Sequence, residues 1–460
     1  MTHQKTPVVP KKHLLTFILL TSCFAAWGLA NNMTDPLVKT FSRIFSMGPV
    51  QSAFVQFSFY GAYFCLALPA AFIIKKWSYK TGVLVGLGMF VIGAFLFYPA
   101  SQLMAFNLFL ISIFILAGGL SILETSCDPY ILALGDEDTA TQRLNLAQSF
   151  NPVGSLIGTG LAAAFILPNI NPATDKERAA MPAEELTAIQ QSELAAVMTP
   201  YIGMAFTLLL LWLIFAFMKM PKASKETSSF DLKGTFDRLL HNKHYTFGVI
   251  AQFFYVAAQI CVWTFTIHYI SAIYEHGNGA PLTRFLETSG LLGVVDHFGF
   301  DTQNFAGENM AGIYHFFALF IFLTFRFICT LLMKLIRPSI MLTTLALIAI
   351  ALCVAVMASA NLSSVLCLIG ISACMSLMFP TIYGIALHGL GNDTKIGAAG
   401  LVMAILGGAL FPLLQGYILK ISSVPVSYIV PLACFIIVAF YGFFDLSTER
   451  KAHTDEPAAL

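Results

Sequence analysis

The sequence predicts an all-α membrane protein with twelve transmembrane helices in two six-helix halves, and three observations support this. Of its 460 residues, 57% are apolar and only 11% are charged, whereas soluble proteins usually carry about 25% charged residues. About twelve apolar stretches reach the roughly 20 residues that a helix needs to cross a bilayer. The basic segment 220–243 separates the first six stretches from the last six.

The spans follow one another with short connections. The first begins after Lys11 and Lys12, as a signal peptide also could, but its length and the spans behind it favour a retained helix. The predicted spans are 14–34, 51–74, 81–99, 106–134, 145–168, 199–219, 244–274, 308–333, 339–358, 363–389, 396–419 and 425–445.

The distribution of Lys and Arg predicts the orientation. With the N-terminus inside, 18 of the 25 cationic residues fall in inner segments and 6 in outer ones, while Arg326 lies within a span. Because cytoplasmic loops are enriched in Lys and Arg, we expect both termini in the cytoplasm of a cell-membrane protein. The predicted domains are two six-helix bundles, 1–219 and 244–460, joined by a cytoplasmic linker, 220–243.

Two longer outer segments interrupt this pattern. Residues 169–198 are acidic, and we expect a short surface helix in them. Residues 275–307 contain several glycines and a proline, which indicate irregular structure. Neither segment has a predicted role.

Ionisable side chains inside a bilayer are costly, so each one needs an explanation. Glu124 lies near the middle of the fourth span, where desolvation favours a neutral carboxyl that can hold and release a proton. Asp35 ends the first span, and the preceding Asn32 is a candidate sugar ligand facing the bundle interior. A structural role, as a hydrogen-bonded carboxyl or a solvated helix end, stays open for both acids.

Two further charges favour structural or gating roles. Asp128 lies one turn after Glu124 on the same helix face and could pair with Arg143 at the inner mouth of the fifth span. Arg326 lies about eight residues from the inner end of the eighth span. Its head group could reach the interface, and we expect a packing or gating role.

Two polar stripes indicate a site for a hydroxylated ligand. Asn145, Gln148 and Asn151 recur every three residues, and Gly154 and Gly158 continue that face with a spacing that allows close helix approach. The seventh span carries two amides, a phenol and an indole on one face. This second stripe consists of Gln252, Tyr255, Gln259 and Trp263. Amides both donate and accept hydrogen bonds, and aromatic rings can stack on a sugar. Ordinary helix packing would also explain the second stripe.

Several function classes find no support. The net charge of +1 does not indicate a nucleic-acid partner. The nine cysteines lie in apolar stretches without metal-ligand spacing, so we expect no metal and no cofactor. An intramembrane enzyme would need a motif such as HExxH or GxSxG, and a sensor would need a larger output domain than the short linker offers. We expect a small sugar, a proton and the lipid bilayer as partners, and we expect a monomer.

The chain resembles the fucose–galactose–glucose:proton symporters of the major facilitator superfamily, and among them the L-fucose permeases. The matching stretches are Ala30–Asp35, Lys76–Gly82, Leu123–Thr125, Arg143–Asn151, Ala251–Gln259, Phe379–Tyr383 and Leu390–Lys395. The resemblance implies a proton-coupled monosaccharide symporter that works by alternating access. It implies that Asp35 and Glu124 bind substrate and carry the proton, and that Gln148 and Asn151 line the cavity.

The sequence departs from the permease pattern at three places. Asp128 replaces an expected Asn, Met378 replaces a polar residue of the expected cavity, and no Gly precedes Arg326 in its motif. A glucose/galactose or amino-sugar symporter of the same family therefore stays open as an alternative. Such a carrier could be sodium-coupled, with Asp128 as a cation ligand.

Overall fold

The computed structural model describes residues 6–44, 49–161, 175–221, 231–297 and 307–454, with single residues at 165, 169, 171 and 173. Side chains within 31–44 and 49–53, and at scattered other positions, lie outside this description. All regular elements of the described residues are helices. The chain divides into two compact units, which are described one at a time.

The first unit comprises Lys11–Leu134 and Phe150–Lys225. Most of its helices are apolar on all sides, which is the pattern of helices that contact either protein or lipid around their whole circumference. The helices are α1 (Leu14–Ile44), α2 (Pro49–Lys76), α3 (Tyr79–Gln102), α4 (Phe106–Leu132), α6 (Phe150–Leu161), α7 (Asp175–Ala180) and α8 (Ala183–Phe217).

The second unit comprises Met1–Pro10, Gly135–Ser149 and Glu226–Leu460. It therefore includes a short segment from the first half of the chain. Its helices are α5 (Ala140–Gln148), α9 (Leu232–His241), α10 (Lys243–Glu275), α11 (Ala280–Ser289), α12 (Leu291–His297), α13 (Gly307–Leu332), α14 (Pro338–Ala358), α15 (Leu362–Met375), α16 (Met378–Leu387), α17 (Thr394–Met403), α18 (Gly407–Ile421), α19 (Val424–Ser427) and α20 (Ile429–Thr454).

Eleven helical stretches of the described residues are long and apolar enough to cross a membrane. They correspond to all the predicted spans except the fifth, 145–168, which α5 and α6 cover up to residue 161. Large apolar side chains in the spans are strongly exposed, for example Leu210 at 60% and Leu413 at 68%. Such exposure suits lipid contact, and the chain is a multi-pass membrane protein.

The glycines of α6 bring it into backbone contact with α1. A Cβ atom built on Gly154 would lie 1.8 Å from the carbonyl oxygen of Ala25, and one on Gly158 would lie 2.6 Å from that of Leu29. On the α1 side, a Cβ on Gly28 would lie 1.9 Å from the carbonyl oxygen of Asn151. The small residues predicted to allow close helix approach therefore do so in this unit.

The two long segments between predicted spans contain more helix than expected, although the acidic one does include a short helix, α7. Residues 280–297, expected to be irregular, form α11 and α12, because Pro281 suits the first turn of a helix and Gly290, at φ 71°, allows the chain to turn between them. In the acidic segment, α7 is short, and α8 starts at Ala183 and runs without interruption into the sixth predicted span. A buried ion pair between Arg178 and Glu193 joins α7 to α8.

Candidate functional site

The carboxyl group of Glu124 has no hydrogen-bond partner among the described residues of the first unit. Glu124 lies in α4 with 4% of its surface exposed, and neither of its carboxylate oxygens has a hydrogen-bond partner among the described residues. It interacts electrostatically with Asp128, one turn further along α4 and fully buried. A buried carboxylate without a partner is unfavourable, so this group needs either a proton or a hydrogen-bond donor from outside the protein.

Tyr63 is a neighbour of Glu124 that the sequence did not single out. It lies in α2 with 1% exposure and interacts electrostatically with Glu124. The indole Nε1 of Trp27 in α1 donates to the Tyr63 hydroxyl, and the Ser121 hydroxyl in α4 donates to the Tyr63 carbonyl oxygen at 3.0 Å. These bonds join α1, α2 and α4 beside the acid. The only sequence signal was a phenol within an apolar span, as at Tyr255.

The remaining predicted residues of the first unit lie along α1 and α6. Asn151 is half-buried, and its Nδ2 donates to the carbonyl oxygen of Phe24 at 3.4 Å, so its amide is held against α1. Asn32 and Asp35 lie outside the residues whose side chains are described. Their predicted contacts with substrate and proton stay predictions.

A break between α15 and α16 is the main polar feature of the second unit. Pro380 lacks the N–H group that would bond the carbonyl oxygen of Ser376 four residues earlier. Arg326 in α13 takes that position, because its Nε donates to the Ser376 oxygen. The neighbouring carbonyl oxygen of Met375 accepts the Tyr255 hydroxyl at 2.9 Å. Side chains from two other helices therefore bond the carbonyls at the break.

Arg326 is buried inside the unit and does not extend to the interface. It is 4% exposed, and its Nη1 donates to the carbonyl oxygen of Gln148 in α5 at 3.0 Å. The guanidinium carbon lies 4.6 Å from the centre of the Phe322 ring, a cation–π distance. Trp263 packs edge-to-face on the same ring at 5.0 Å. Arg326 thus joins α5, α13 and the α15–α16 break.

Several buried polar groups of this unit lack partners among the described residues. Gln252 is fully buried, and both atoms of its amide are unbonded. The Nε1 of Trp263 and the Oδ1 of Asn145 are also unbonded, although the Nδ2 of Asn145 donates to the Thr381 hydroxyl at 3.2 Å. Gln259 is half-buried. Unbonded buried amides and an indole N–H can bind the hydroxyls of a small polar solute.

The structure separates the predicted amide stripe. Asn145 and Gln148 belong to the second unit, whereas Asn151 belongs to the first. Arg143 donates to the carbonyl oxygens of Val8 and Asp136 at 3.1 and 3.2 Å, and to the Thr139 hydroxyl at 3.1 Å. Its predicted pairing with Asp128 stays a prediction, as does the division at 220–243.

Both units therefore contain membrane-crossing helices with buried polar groups that have no hydrogen-bond partner among the described residues. Within the described residues, no three His, Cys, Asp or Glu side chains are grouped as a metal site requires. Unsatisfied amides and buried acids inside membrane-spanning helices are typical of a carrier for a small polar solute. The class defined by fold and site is thus a secondary transporter.

Comparison with known proteins identifies the family. Residues 18–405 match the Major Facilitator Superfamily. The chain is 40% identical over 450 residues to the L-fucose-proton symporter of Haemophilus influenzae, covering 95% of this chain and 97% of that protein. It is 32% identical to a glucose/galactose transporter of Brucella abortus, covering 92% of each. A crystal structure of the Escherichia coli fucose:proton symporter superposes with a TM-score of 0.81 at 30% identity, covering 94% and 99%.

The chain therefore belongs to the major facilitator superfamily, and within it to the family of fucose–galactose–glucose:proton symporters. The resemblance noted in the sequence and the predicted fold class are confirmed. The comparisons place the chain among transporters and support none of the intramembrane enzymes or sensors considered from the sequence.

Proposed function

We propose that this protein imports L-fucose, or a closely related monosaccharide, together with a proton by alternating access. The names of its relatives support the substrate class and the coupling ion. The observation that carries the proposal is Glu124, a buried carboxyl with no bonded oxygen among the described residues. The expected pair, Asp35 and Glu124, shares the proton and contacts the sugar.

Proton coupling at Glu124 follows from the cost of burying an unpaired charge. Without a donor, Glu124 is favoured in its neutral form. Water or an incoming donor at the carboxyl would stabilise the anion and allow the proton to leave. A site whose charge must change in each cycle links proton movement to reorientation of the carrier, because only the neutral form avoids burying a lone charge.

The sugar would be held by amides and aromatic groups. Gln252, Asn145 and Trp263 supply donors and acceptors that have no partner among the described residues. The other predicted sugar contacts are Asn32, Gln148, Asn151, Tyr255 and Gln259. Hydroxyl recognition of this kind is specific, because losing a partner leaves a buried polar group unpaired at a cost of about 1–3 kcal/mol.

Glu124→Gln tests the coupling. Glutamine imitates the neutral acid and cannot release a proton, so exchange of sugar down equal gradients should persist while uphill accumulation is lost. A potential of 100 mV is worth about 2.3 kcal/mol per charge, and tenfold accumulation costs about 1.4 kcal/mol. One proton can thus drive roughly fortyfold accumulation. Counterflow and uphill uptake are measured in the same proteoliposomes.

The matched control is Glu185→Gln, which changes an exposed acid in α8 and should leave both activities intact. If Glu124→Gln still concentrates sugar under an imposed proton gradient, Glu124 is not the coupling site. Asp35→Asn should behave like Glu124→Gln if the two acids share the proton. It should abolish binding if Asp35 must accept sugar hydroxyls as an anion.

Two further measurements identify the transported sugar and the coupling ion. L-fucose should compete for uptake better than D-glucose, and Asn151→Ala should weaken that competition. The alternative, a glucose/galactose or amino-sugar carrier, is supported by the Brucella abortus relative and predicts the reverse order. Uptake driven by a sodium gradient at constant pH, lost in Asp128→Asn, would favour sodium coupling.

We also propose that both termini are cytoplasmic, in a bacterial inner membrane, and that the carrier is a monomer. The charge distribution of the sequence supports this orientation. Lys233→Cys and Glu185→Cys place thiols at exposed positions of the inner and outer segments. An impermeant thiol reagent should label the first only from the inside and the second only from the outside, and reversed labelling would contradict the orientation.

A further inference from the structure

The helix α9, in the linker before the seventh span, is fixed to the second unit by one side. Thr235 and Leu239 are buried at 1% and 3%. The Thr235 hydroxyl donates to Oδ1 of Asp393 at 3.1 Å, and Arg238 donates to both carboxylate oxygens of Asp393 at 2.7 and 2.8 Å. A two-point Arg–carboxylate contact sets orientation as well as position. The rotation of α9 about its axis is therefore determined.

A second side of α9 is apolar and exposed. Successive residues of a helix are about 100° apart around its axis. Phe236, Leu240 and Lys233 therefore fall within a sector of about 60°. The centre of this sector is roughly 110° around the helix from the buried Thr235 and Leu239. Leu240 is 70% exposed and Phe236 is 38% exposed. Lys233 is exposed beside them. Two large apolar side chains one turn apart next to a lysine form the pattern of a helix lying in a membrane interface.

A third side faces water. Asp237 and His241 lie a further 90° or so around the helix, with side chains 73% and 79% exposed and 3.3 Å apart. The helix thus presents separate protein, apolar and polar sides. A helix that only linked two spans through solvent would have no reason to group Phe236 and Leu240 on one side.

The end of α9 lies against the first turn of α10, the seventh span, because the Thr246 hydroxyl donates to the carbonyl oxygens of Leu239 and Leu240 at 3.3 and 3.1 Å. Asn242 caps α10 directly after α9 ends. Phe247, one turn into α10, is 41% exposed and packs edge-to-face on Phe444 of α20 at 4.9 Å. At 1.5 Å per residue, the 33 residues of α10 extend about 50 Å, beyond a hydrocarbon core of about 30 Å. The start of α10, and α9 with it, therefore falls near the headgroup layer.

We propose that α9 is an interfacial membrane helix that binds anionic phospholipid of the inner leaflet. Phe236 and Leu240 insert between headgroups, and Lys233 contacts lipid phosphate. Lys243, exposed at the start of α10, adds a second cation at the same level. The inference rests on the proposed cytoplasmic side of the linker, but its test does not depend on transport. Docked at Asp393, the helix would connect the lipid composition of the leaflet to the cytoplasmic end of α17.

The test uses the full chain in vesicles of phosphatidylcholine alone or mixed with phosphatidylglycerol. Photoreactive benzoylphenylalanine replaces Phe236 or Leu240, and Asp237 on the water side is the matched control. After illumination, mass spectrometry counts lipid adducts. We expect adducts at 236 and 240 but not at 237, with phosphatidylglycerol enriched over its share of the bilayer. Lys233→Gln should lower that enrichment about fivefold, which corresponds to about 1 kcal/mol per cation at an anionic surface.

Adducts equal at 236 and 237, or adducts to a second copy of the chain, would overturn the proposal. Lipid adducts without phosphatidylglycerol enrichment would overturn the choice of anionic lipid. If a labelled variant fails to fold, Phe236→Trp replaces it as a conservative change. Brominated phosphatidylglycerol should then quench the added fluorescence relative to the unchanged protein, and the absence of quenching would refute insertion. Loss of transport with these lipid contacts intact would count against the proposed function alone.

Discussion

Gly154→Ala should separate α6 from α1 and destabilise the first unit. A Cβ atom at this position would lie 1.8 Å from the carbonyl oxygen of Ala25, whereas real Cβ atoms do not approach closer than 3.0 Å. The helices must therefore move apart by at least 1.2 Å (3.0 − 1.8). The obstacle is backbone, which cannot rotate away as a side chain can. Overpacking of this kind costs about 1–3 kcal/mol.

The same helix offers a matched control in Gly160→Ala. No heavy atom of the described residues lies within 4 Å of a Cβ built on Gly160. Alanine there should be neutral or should stabilise the helix by about 0.5–1 kcal/mol, because it reduces the backbone freedom of the unfolded chain. The two variants carry an identical chemical change, so the difference in their free energies of unfolding, about 1–4 kcal/mol, isolates the contact with α1.

The assay is thermal unfolding of the purified protein in detergent, followed by sugar counterflow in proteoliposomes. Gly154→Ala should unfold at a lower temperature than Gly160→Ala. It should also weaken sugar binding, because displacing α1 breaks the bond between Asn151 and the carbonyl oxygen of Phe24, one residue before Ala25. Equal unfolding temperatures for the two variants would refute the argument that the α1–α6 contact requires glycine at position 154.

Two further predictions concern buried charges. Arg326→Met should lower the free energy of unfolding by about 1.5–3 kcal/mol for each of the two charge-assisted hydrogen bonds that it removes. Arg284→Met at an exposed site should have no such effect, and equal unfolding temperatures for the two variants would contradict the role of Arg326 at the helix break. Glu193→Gln should destabilise the packing of α7 on α8 by about 3–5 kcal/mol, because it leaves the cation of Arg178 buried without its partner. The control is Glu185→Gln at an exposed position, and an equal rate of proteolysis of the two variants would contradict this prediction.

Much of the fold could be predicted because membrane insertion depends on local composition. A run of about 20 apolar residues must cross a membrane or be buried inside a protein wherever it occurs. Small residues four apart indicate that a helix approaches a neighbouring helix closely, whichever helix that is. The sequence also singled out Glu124, since a carboxyl in the middle of an apolar span is costly in any arrangement. Residues 280–297 were wrongly expected to be irregular, because Pro281 and Gly290 begin and separate helices there.

Only the tertiary structure decided which neighbour each polar group meets. Spacing along one helix shows which residues share a face, but it does not show what lies opposite that face. The guanidinium of Arg326 could have extended to the interface, yet it bonds the carbonyl oxygen that Pro380 leaves free, 50 residues away in sequence. Neighbouring helices also decide that the buried amide of Gln252 has no hydrogen-bond partner among the described residues. They likewise bring Tyr63 of α2 into electrostatic interaction with Glu124 of α4. Local composition sets where the chain enters the membrane, and packing between distant segments sets the chemistry inside it.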